Sequence, residues 1–360
     1  MPSSHFSSNA RKHLCSLHPG ERIDAEFALL CAQYASIHDL GDAALRQRRA
    51  RHGDKAYYVY NQHINYTNIC QNQCRFCAYS KRIGQEGGYT YSLDQVRDIL
   101  TARKEQPIRE VHIVGGLNPD LPYQYYLDLL SLCKEIRPQA VVKAFTAVEV
   151  AHFADTCRKS ETQVLQELRA AGLDVLPGGG AEVFAPAMRA RLCPEKISAE
   201  RWLRIHGLAH DLGIKTNCTM LFGHIESWHD RIDHLAALRD LEDHKPGFVC
   251  FIPLAYQPRN NDVSATGPTG EEYIRMIAIA RLFLDNIAHI KAYWAFAGIK
   301  AAQMALWAGA DDFDGTIVEE KIGHAAGADS PKGLTIQELR ATIAATGFTP
   351  VERTTLFEEL

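Results

Sequence analysis

The sequence predicts an α/β fold: a (β/α) TIM-type barrel preceded by a helical extension. Short runs rich in β-branched and aromatic residues alternate with amphipathic helical stretches. They lie at Tyr58–Thr67, Val111–Val114, Val141–Phe145, Lys215–Met220, Phe248–Ile252 and, more weakly, Ile290–Tyr293. No hairpin signal joins successive runs, which makes the strands parallel. Six or more such units over about 250 residues suit ring closure better than two domains, with a doubly wound sheet as the rival.

Taken in order, residues 1–20 mix Ser, His, Arg and Lys without an apolar run, so they read as poorly ordered and carry no targeting signal. Residues 24–52 hold two helical patterns, the second opening near Asp39 and stopping before Gly53. Residues 1–52 therefore form the extension, and residues 53–360 the barrel with its C-terminal segment. Inside the barrel, Ser92 with Gln95 makes a capping box ahead of Leu93, Val96 and Leu100. Ser198 opens another helix, with Trp202, Ile205, Ala209 and Leu212 on one face and Gly213 as its stop.

Composition narrows the function. The 360 residues are 46% hydrophobic and 23% charged, neither a disordered nor a fibrous balance. With 39 basic against 43 acidic residues there is no broad nucleic-acid footprint. The apolar stretch Met276–Ala280 is cut off by Arg275 and Arg281, far short of a membrane span. A cytoplasmic location is expected. Ten cysteines are too sparse for a disulfide scaffold. Cys133, Cys157 and Cys250 sit among apolar neighbours and read as core residues.

Three other cysteines share one short segment, Asn68-Ile-Cys70-Gln-Asn-Gln-Cys74-Arg-Phe-Cys77-Ala-Tyr79. It follows the first strand, where barrels place catalytic loops. Three thiolates gather one compact centre but leave a four-ligand site open. A structural zinc or an electron-transfer cluster takes a fourth ligand, normally from a second Cys or His pair. The chain has no second Cys-x-x-Cys. One vacant metal position is the economical reading, with core or zinc-binding cysteines as the alternative.

This Cys-x3-Cys-x2-Cys spacing, with Tyr79 as the aromatic near the last cysteine, resembles the signature of the radical S-adenosylmethionine (SAM) enzymes. The resemblance implies the barrel of that superfamily and a [4Fe–4S] cluster on Cys70, Cys74 and Cys77. SAM would bind the open iron and, on one-electron cleavage, yield methionine and a 5′-deoxyadenosyl radical.

Loops at later strand ends complete the candidate site. Gly115 and Gly116 permit close backbone approach, so peptide groups can meet a cofactor there. They resemble a Gly-Gly-Glu element with Leu117 in place of Glu. Thr146 and Glu149 either reach ribose hydroxyls or form a helix N-cap with an acidic first turn. The triple glycine around Gly179 can cradle an anion, but no Gly-Lys-Ser/Thr follows, which excludes a nucleotide triphosphate. Asn217 suits ribose or adenine. His224 follows the same strand, and Glu320 and His324 lie one helical turn apart. Glu149, His224, Glu320 and His324 are the acid–base candidates; a solvated face is the plain alternative for the last two.

The segments His112-Ile-Val-Gly-Gly116, Lys143-Ala-Phe-Thr-Ala-Val-Glu149, Leu176-Pro-Gly-Gly-Gly-Ala-Glu182 and Val318-Glu-Glu-Lys-Ile322 with Ala325-Ala-Gly327 are similar to the aminodeoxyfutalosine synthase family. The similarity runs from about Gly53 to the C-terminus. It implies SAM as co-substrate, and addition of the adenosyl radical to the enol ether of 3-[(1-carboxyvinyl)oxy]benzoate, giving 6-amino-6-deoxyfutalosine for menaquinone biosynthesis. A low-potential donor such as flavodoxin or ferredoxin would supply the electron. The substrate carries two carboxylates, for which His63, Asn65, Lys143, Arg259, His224 and Lys321 are candidate partners. The alternatives are a cyclic dehypoxanthine futalosine synthase or deazaflavin-forming enzyme of the same superfamily, and a non-enzymatic iron–sulfur or zinc protein.

Overall fold

The computed structural model describes residues 6–360. Its strands are β1 (Lys55–Val59), β2 (Asn61–Ile64), β3 (Glu110–Ile113), β4 (Val141–Ala144) and β5 (Val175–Leu176). They continue with β6 (Lys215–Phe222), β7 (Phe248–Ala255), β8 (His289–Ile290), β9 (Asp312–Gly315) and β10 (Thr349–Glu352). β2 to β8 form one parallel sheet in chain order, and β10, β1 and β9 a second. The seven strands curl into a partial barrel with helices on the outside. Single backbone bonds span its open side: Ala292 donates to the Asp312 carbonyl at 2.7 Å, and His63 to the Val318 carbonyl at 2.9 Å. β1 runs into β2 with a break at Tyr60, so one stretch of chain belongs to both sheets.

Helices cover the outer face of the large sheet, its inner face lines a cavity, and alternation along the strands separates the two environments. Along β6, Cys218, Met220 and Phe222 are fully buried in the core, while Asn217, Thr219 and Leu221 line the barrel's interior. Three strands escaped the sequence reading. β5 is two residues long, and β10 lies partly exposed at the edge of the small sheet. β9 reads Asp-Phe-Asp-Gly, which resembles a turn. Its charge is tolerated because Asp312 pairs with buried Arg353 and Asp314 with Lys291, at 2.7 Å. The Tyr58–Thr67 run also leaves the ladder at Ile64.

The expectation of disorder across residues 1–20 needs correction where the chain is described; residues 1–5 lie outside the described residues. Ser8–Ser16 is a helix, capped by Ser7, with Leu14 and Leu17 buried in the common core. The next helices, Ala25–Tyr34 and Ile37–His52, match the two patterns. Ser36 caps the second, and Gly53 ends it at φ +57°. No helix among the described residues is long and apolar enough to cross a membrane.

Near the start of β8 and β9 lies a fully buried ion pair, Arg281 with Asp311. Arg281 also donates to the carbonyls of Gly309 and Ala288, both at 2.8 Å. Replacing Arg281 by Met should cost about 3–5 kcal/mol, because it removes the buried counter-charge of Asp311 and leaves only the His289 and Ile290 hydrogen bonds. A fall in the chemical-denaturation midpoint checks this; an unchanged midpoint would contradict it.

Candidate active site

The cysteine loop is pinned to its surroundings by backbone bonds. Cys70 donates to the Lys81 carbonyl at 3.0 Å, Gln71 to the Leu117 carbonyl at 2.9 Å, and Cys77 to the Cys74 carbonyl at 3.0 Å. The Leu117 N–H points at Cys70 Sγ, 3.3 Å away. Gly116 has no room for a side chain: a Cβ there would lie 2.2 Å from the Ile69 carbonyl oxygen and 2.9 Å from Cys70 Cβ. All three thiols are free and partly buried. Burial pushes the Cys74 thiol up to about 12 and raises Cys70 as well, so these sulfurs become thiolates only when a metal compensates their charge.

Among the described residues, the one trio of donor atoms within 4.8 Å of one another is His52, His289 and Asp311. None of these three lines the cavity that Cys70, Cys74 and Cys77 line beside Lys196. Lys196 joins this corner, bonded to Glu182 at 2.5 Å and 5.1 Å from the Phe76 ring. Burial works against its charge, but Cys74 and Glu182 more than offset that and raise its pKa.

The remaining loops surround a cavity of about 320 Å³ at the carboxyl ends of the strands. Tyr79, Gly115, Gly116, Thr146, Glu149, Gly179 and Asn217 all line it, beside the three cysteines. Thr146 and Glu149 do form the capping box, with the Thr146 N–H 2.6 Å from Glu149 Oε2. The carboxylate does more than cap. Its Oε1 accepts from Tyr66 Oη at 2.7 Å and Gly115 N–H at 3.3 Å, tying the second and third strand-end loops together. Burial dominates its titration, and its pKa rises to about 7 despite these donors. A Cβ on Gly178 would lie 2.7 Å from the Asn217 carbonyl oxygen, and one on Gly179 2.9 Å from Thr146 Cγ2. The Asn217 side-chain oxygen is buried without a partner. Unclaimed thiols, a side-chain-free cradle against the cysteine loop and an orphaned amide oxygen fit a cluster with a small polar nucleoside cofactor beside it.

Deeper in the cavity the charges are already paired. Lys143 Nζ is 2.6 Å from Glu110 Oε1, and Lys291 pairs with Asp314. His63, Glu320 and Tyr293 also line the space. His324 stands behind Glu320, its Nδ1 2.9 Å from Glu320 Oε2 and its Nε2 3.0 Å from the Ser330 carbonyl. The Glu320 hydrogen bond raises the His324 pKa to about 9.

Other candidates lie apart from the cavity. The Arg259 guanidinium is exposed, 3.4 Å from Asp329. His224 is locked in a buried network, with Nδ1 2.7 Å from Glu226 and Nε2 3.0 Å from the Leu221 carbonyl. Asn65 holds the Val114 carbonyl at 3.2 Å, and Lys321 bonds the Tyr91 hydroxyl and covers the Tyr89 ring. Sequence reasoning missed Lys196, Lys291, Asp314, Thr219 and any role for His112. A polar residue at an inward, alternate position of an otherwise apolar strand would have signalled His112 and Thr219.

A barrel whose first strand-end loop presents three cysteines to a glycine-walled cavity defines a radical SAM enzyme, and the chain binds a [4Fe–4S] cluster and SAM. Residues 64–238 match the model of the radical SAM superfamily, and residues 245–360 that of the CofH/MqnC C-terminal region. The chain belongs to the aminodeoxyfutalosine synthase family. It is 43% identical to the aminodeoxyfutalosine synthase of Thermus thermophilus, covering 95% of this chain and 93% of that one. It is also 39% identical to a 5-amino-6-(D-ribitylamino)uracil–L-tyrosine 4-hydroxyphenyl transferase of Methanopyrus kandleri, covering 85% of each. In fold it matches methylornithine synthase with a TM-score of 0.72 at 16% identity, over 95% of this chain and 97% of that one.

Changing any one of Cys70, Cys74 or Cys77 to Ala should abolish cluster incorporation, measured as iron and sulfide content after reconstitution. Cys133→Ala or Cys250→Ala should keep the iron and cost about 0.5–3 kcal/mol of stability. A Cys74→Ala protein with a full cluster would contradict the assignment. A second expectation concerns pH. His324 is raised from 6.5 to about 9, so its pairing with Glu320 stabilises the fold fully below about 6.5 and fades as pH rises through 9. Thermal midpoints should fall across that window in the parent protein and stay flatter in His324→Gln.

Proposed function

We propose that the chain is a cytoplasmic aminodeoxyfutalosine synthase that acts on 3-[(1-carboxyvinyl)oxy]benzoate. The observation that carries this reading is 43% identity to the Thermus thermophilus synthase over nearly the whole of both chains. When bound, the cluster and SAM supply a 5′-deoxyadenosyl group that adds to the enol-ether double bond, with 6-amino-6-deoxyfutalosine as the product after rearrangement and loss of one carboxyl. A low-potential protein donor, flavodoxin or ferredoxin, delivers the electron.

The residues on the cavity wall then have defined tasks. Cys70, Cys74 and Cys77 hold the cluster at one end, and Gly116 lets the Gly-Gly loop lie against it. Glu149 keeps the Gly115 and Thr146 loops in a fixed relation, which sets where the nucleoside lies. Asn217 offers its unpartnered oxygen to that nucleoside. Glu320, oriented by the proton on His324 Nδ1, faces the deeper space where the aromatic acid sits. Leu221, Ile252, Leu254 and Tyr256 give the opposite wall an apolar surface that keeps water from the reacting carbons.

The archaeal relative supports a second reading, attack on an amino acid or pyrimidine partner. Product analysis separates the two. The reconstituted enzyme, incubated without oxygen with reductant, SAM and the enol-ether benzoate, should yield a product that carries the adenosine carbons by mass spectrometry. Free 5′-deoxyadenosine with the benzoate unchanged, or consumption of tyrosine with 5-amino-6-(D-ribitylamino)uracil, would overturn the proposal.

A further inference from the structure

His63, His112 and Lys143 stand in one row across three neighbouring strands: His63 pairs in register with His112, and His112 with Lys143. All three side chains line the cavity. Each sits one residue before the end of its strand, just beneath the loops that carry the cysteines, the glycine pair and Thr146. The two imidazole rings lie side by side, with centroids 4.7 Å apart.

The charges around this row are matched one for one. Glu110 neutralises Lys143, Asp314 takes Lys291, Asp312 takes Arg353, and Glu320 faces His324. No lysine on this floor is left over for an incoming anion. The imidazoles differ. Neither ring makes a hydrogen bond among the described residues, and His112 Nδ1 is buried with no partner. A buried polar atom without a partner costs free energy comparable to a lost hydrogen bond, so such a site is completed by what binds there. Burial depresses both imidazoles, keeping them neutral when the cavity is empty. A neutral imidazole carries one N–H, and a pair of them offers two donors to the two oxygens of a carboxylate.

Resting on the reaction proposed above, we infer that the His63–His112 pair is the receptor for one carboxylate of the aromatic substrate, with the charge of Lys143 already taken by Glu110. This makes His112 a substrate-binding residue and orients the substrate with that carboxylate toward β2 and β3. The enol ether is then directed at the cysteine end.

The test is calorimetric binding to the reconstituted enzyme with SAM and no reductant, so that nothing turns over. The probes are the saturated analogue 3-(1-carboxyethoxy)benzoate, its dimethyl ester and isophthalate. The parent protein should bind both diacids. His112→Leu and His63→Leu should each weaken them about tenfold or more, leave the ester unchanged, and retain the iron content of the parent. His112→Gln, which restores a donor, should recover most of the loss. Equal binding by the parent and both Leu proteins would overturn the inference, as would an equal loss for diacid and ester. Binding of isophthalate but not of the analogue, with the same dependence on the imidazoles, would keep the receptor and overturn the proposed substrate. Binding of neither diacid would overturn both.

Discussion

The site depends on one close contact: the backbone of the cysteine loop lies against Gly116 with no space for a single extra carbon. Ile69 and Cys70 meet the glycine directly, and the next peptide turns its N–H onto the Cys70 sulfur. This contact seats the first strand-end loop on the second. Glu149 then ties the second loop to the third through Gly115. Gly178 and Gly179 press the fourth loop against Asn217 and Thr146 in turn. Each loop is therefore placed by its neighbour, and the chain of contacts starts from the loop that carries Cys70, Cys74 and Cys77.

The barrel makes this economical. Parallel strands with alternating inward and outward side chains let one strand serve both the core and the cavity. β6 does so with Cys218 and Met220 on one side and Asn217 and Thr219 on the other. The inward positions carry buried charge, and such charge is tolerable only in pairs. Lys143 with Glu110 and Lys291 with Asp314 meet that condition, as does Arg353 with Asp312. Among the described residues, these pairs leave the imidazoles of His63 and His112 without hydrogen-bond partners.

Much of this was legible in the sequence because the relevant signals are local. The spacing of Cys70, Cys74 and Cys77 implies a single centre, and the glycine loops after successive strands imply close backbone approach. The capping boxes at Ser92 and Thr146 form as the Ser-x-x-Gln and Thr-x-x-Glu patterns indicate. Glu149 completes the Thr146 N-cap, and its second oxygen goes to Tyr66 and Gly115, partners that no local pattern indicates. What stayed hidden depends on distant pairing. The Asp312–Gly315 strand looks like a turn until Arg353 and Lys291 are brought to it by the fold. Arg259 and His224 have the chemistry of ligands, but one pairs with Asp329 at the surface and the other spends its nitrogens on Glu226 and Leu221. Lys196 comes to Cys74 from a loop more than a hundred residues away, which no local pattern reveals.

The account rests on three protein sulfurs leaving one iron of the cluster free for SAM. Electron–nuclear double resonance on the reduced enzyme, with SAM labelled by ¹⁵N at the amino group, tests this most directly. The predicted result is a ¹⁵N coupling that appears when labelled SAM is added and is absent with unlabelled SAM. A spectrum indifferent to SAM, with the fourth iron already bonded to a protein side chain, would contradict it.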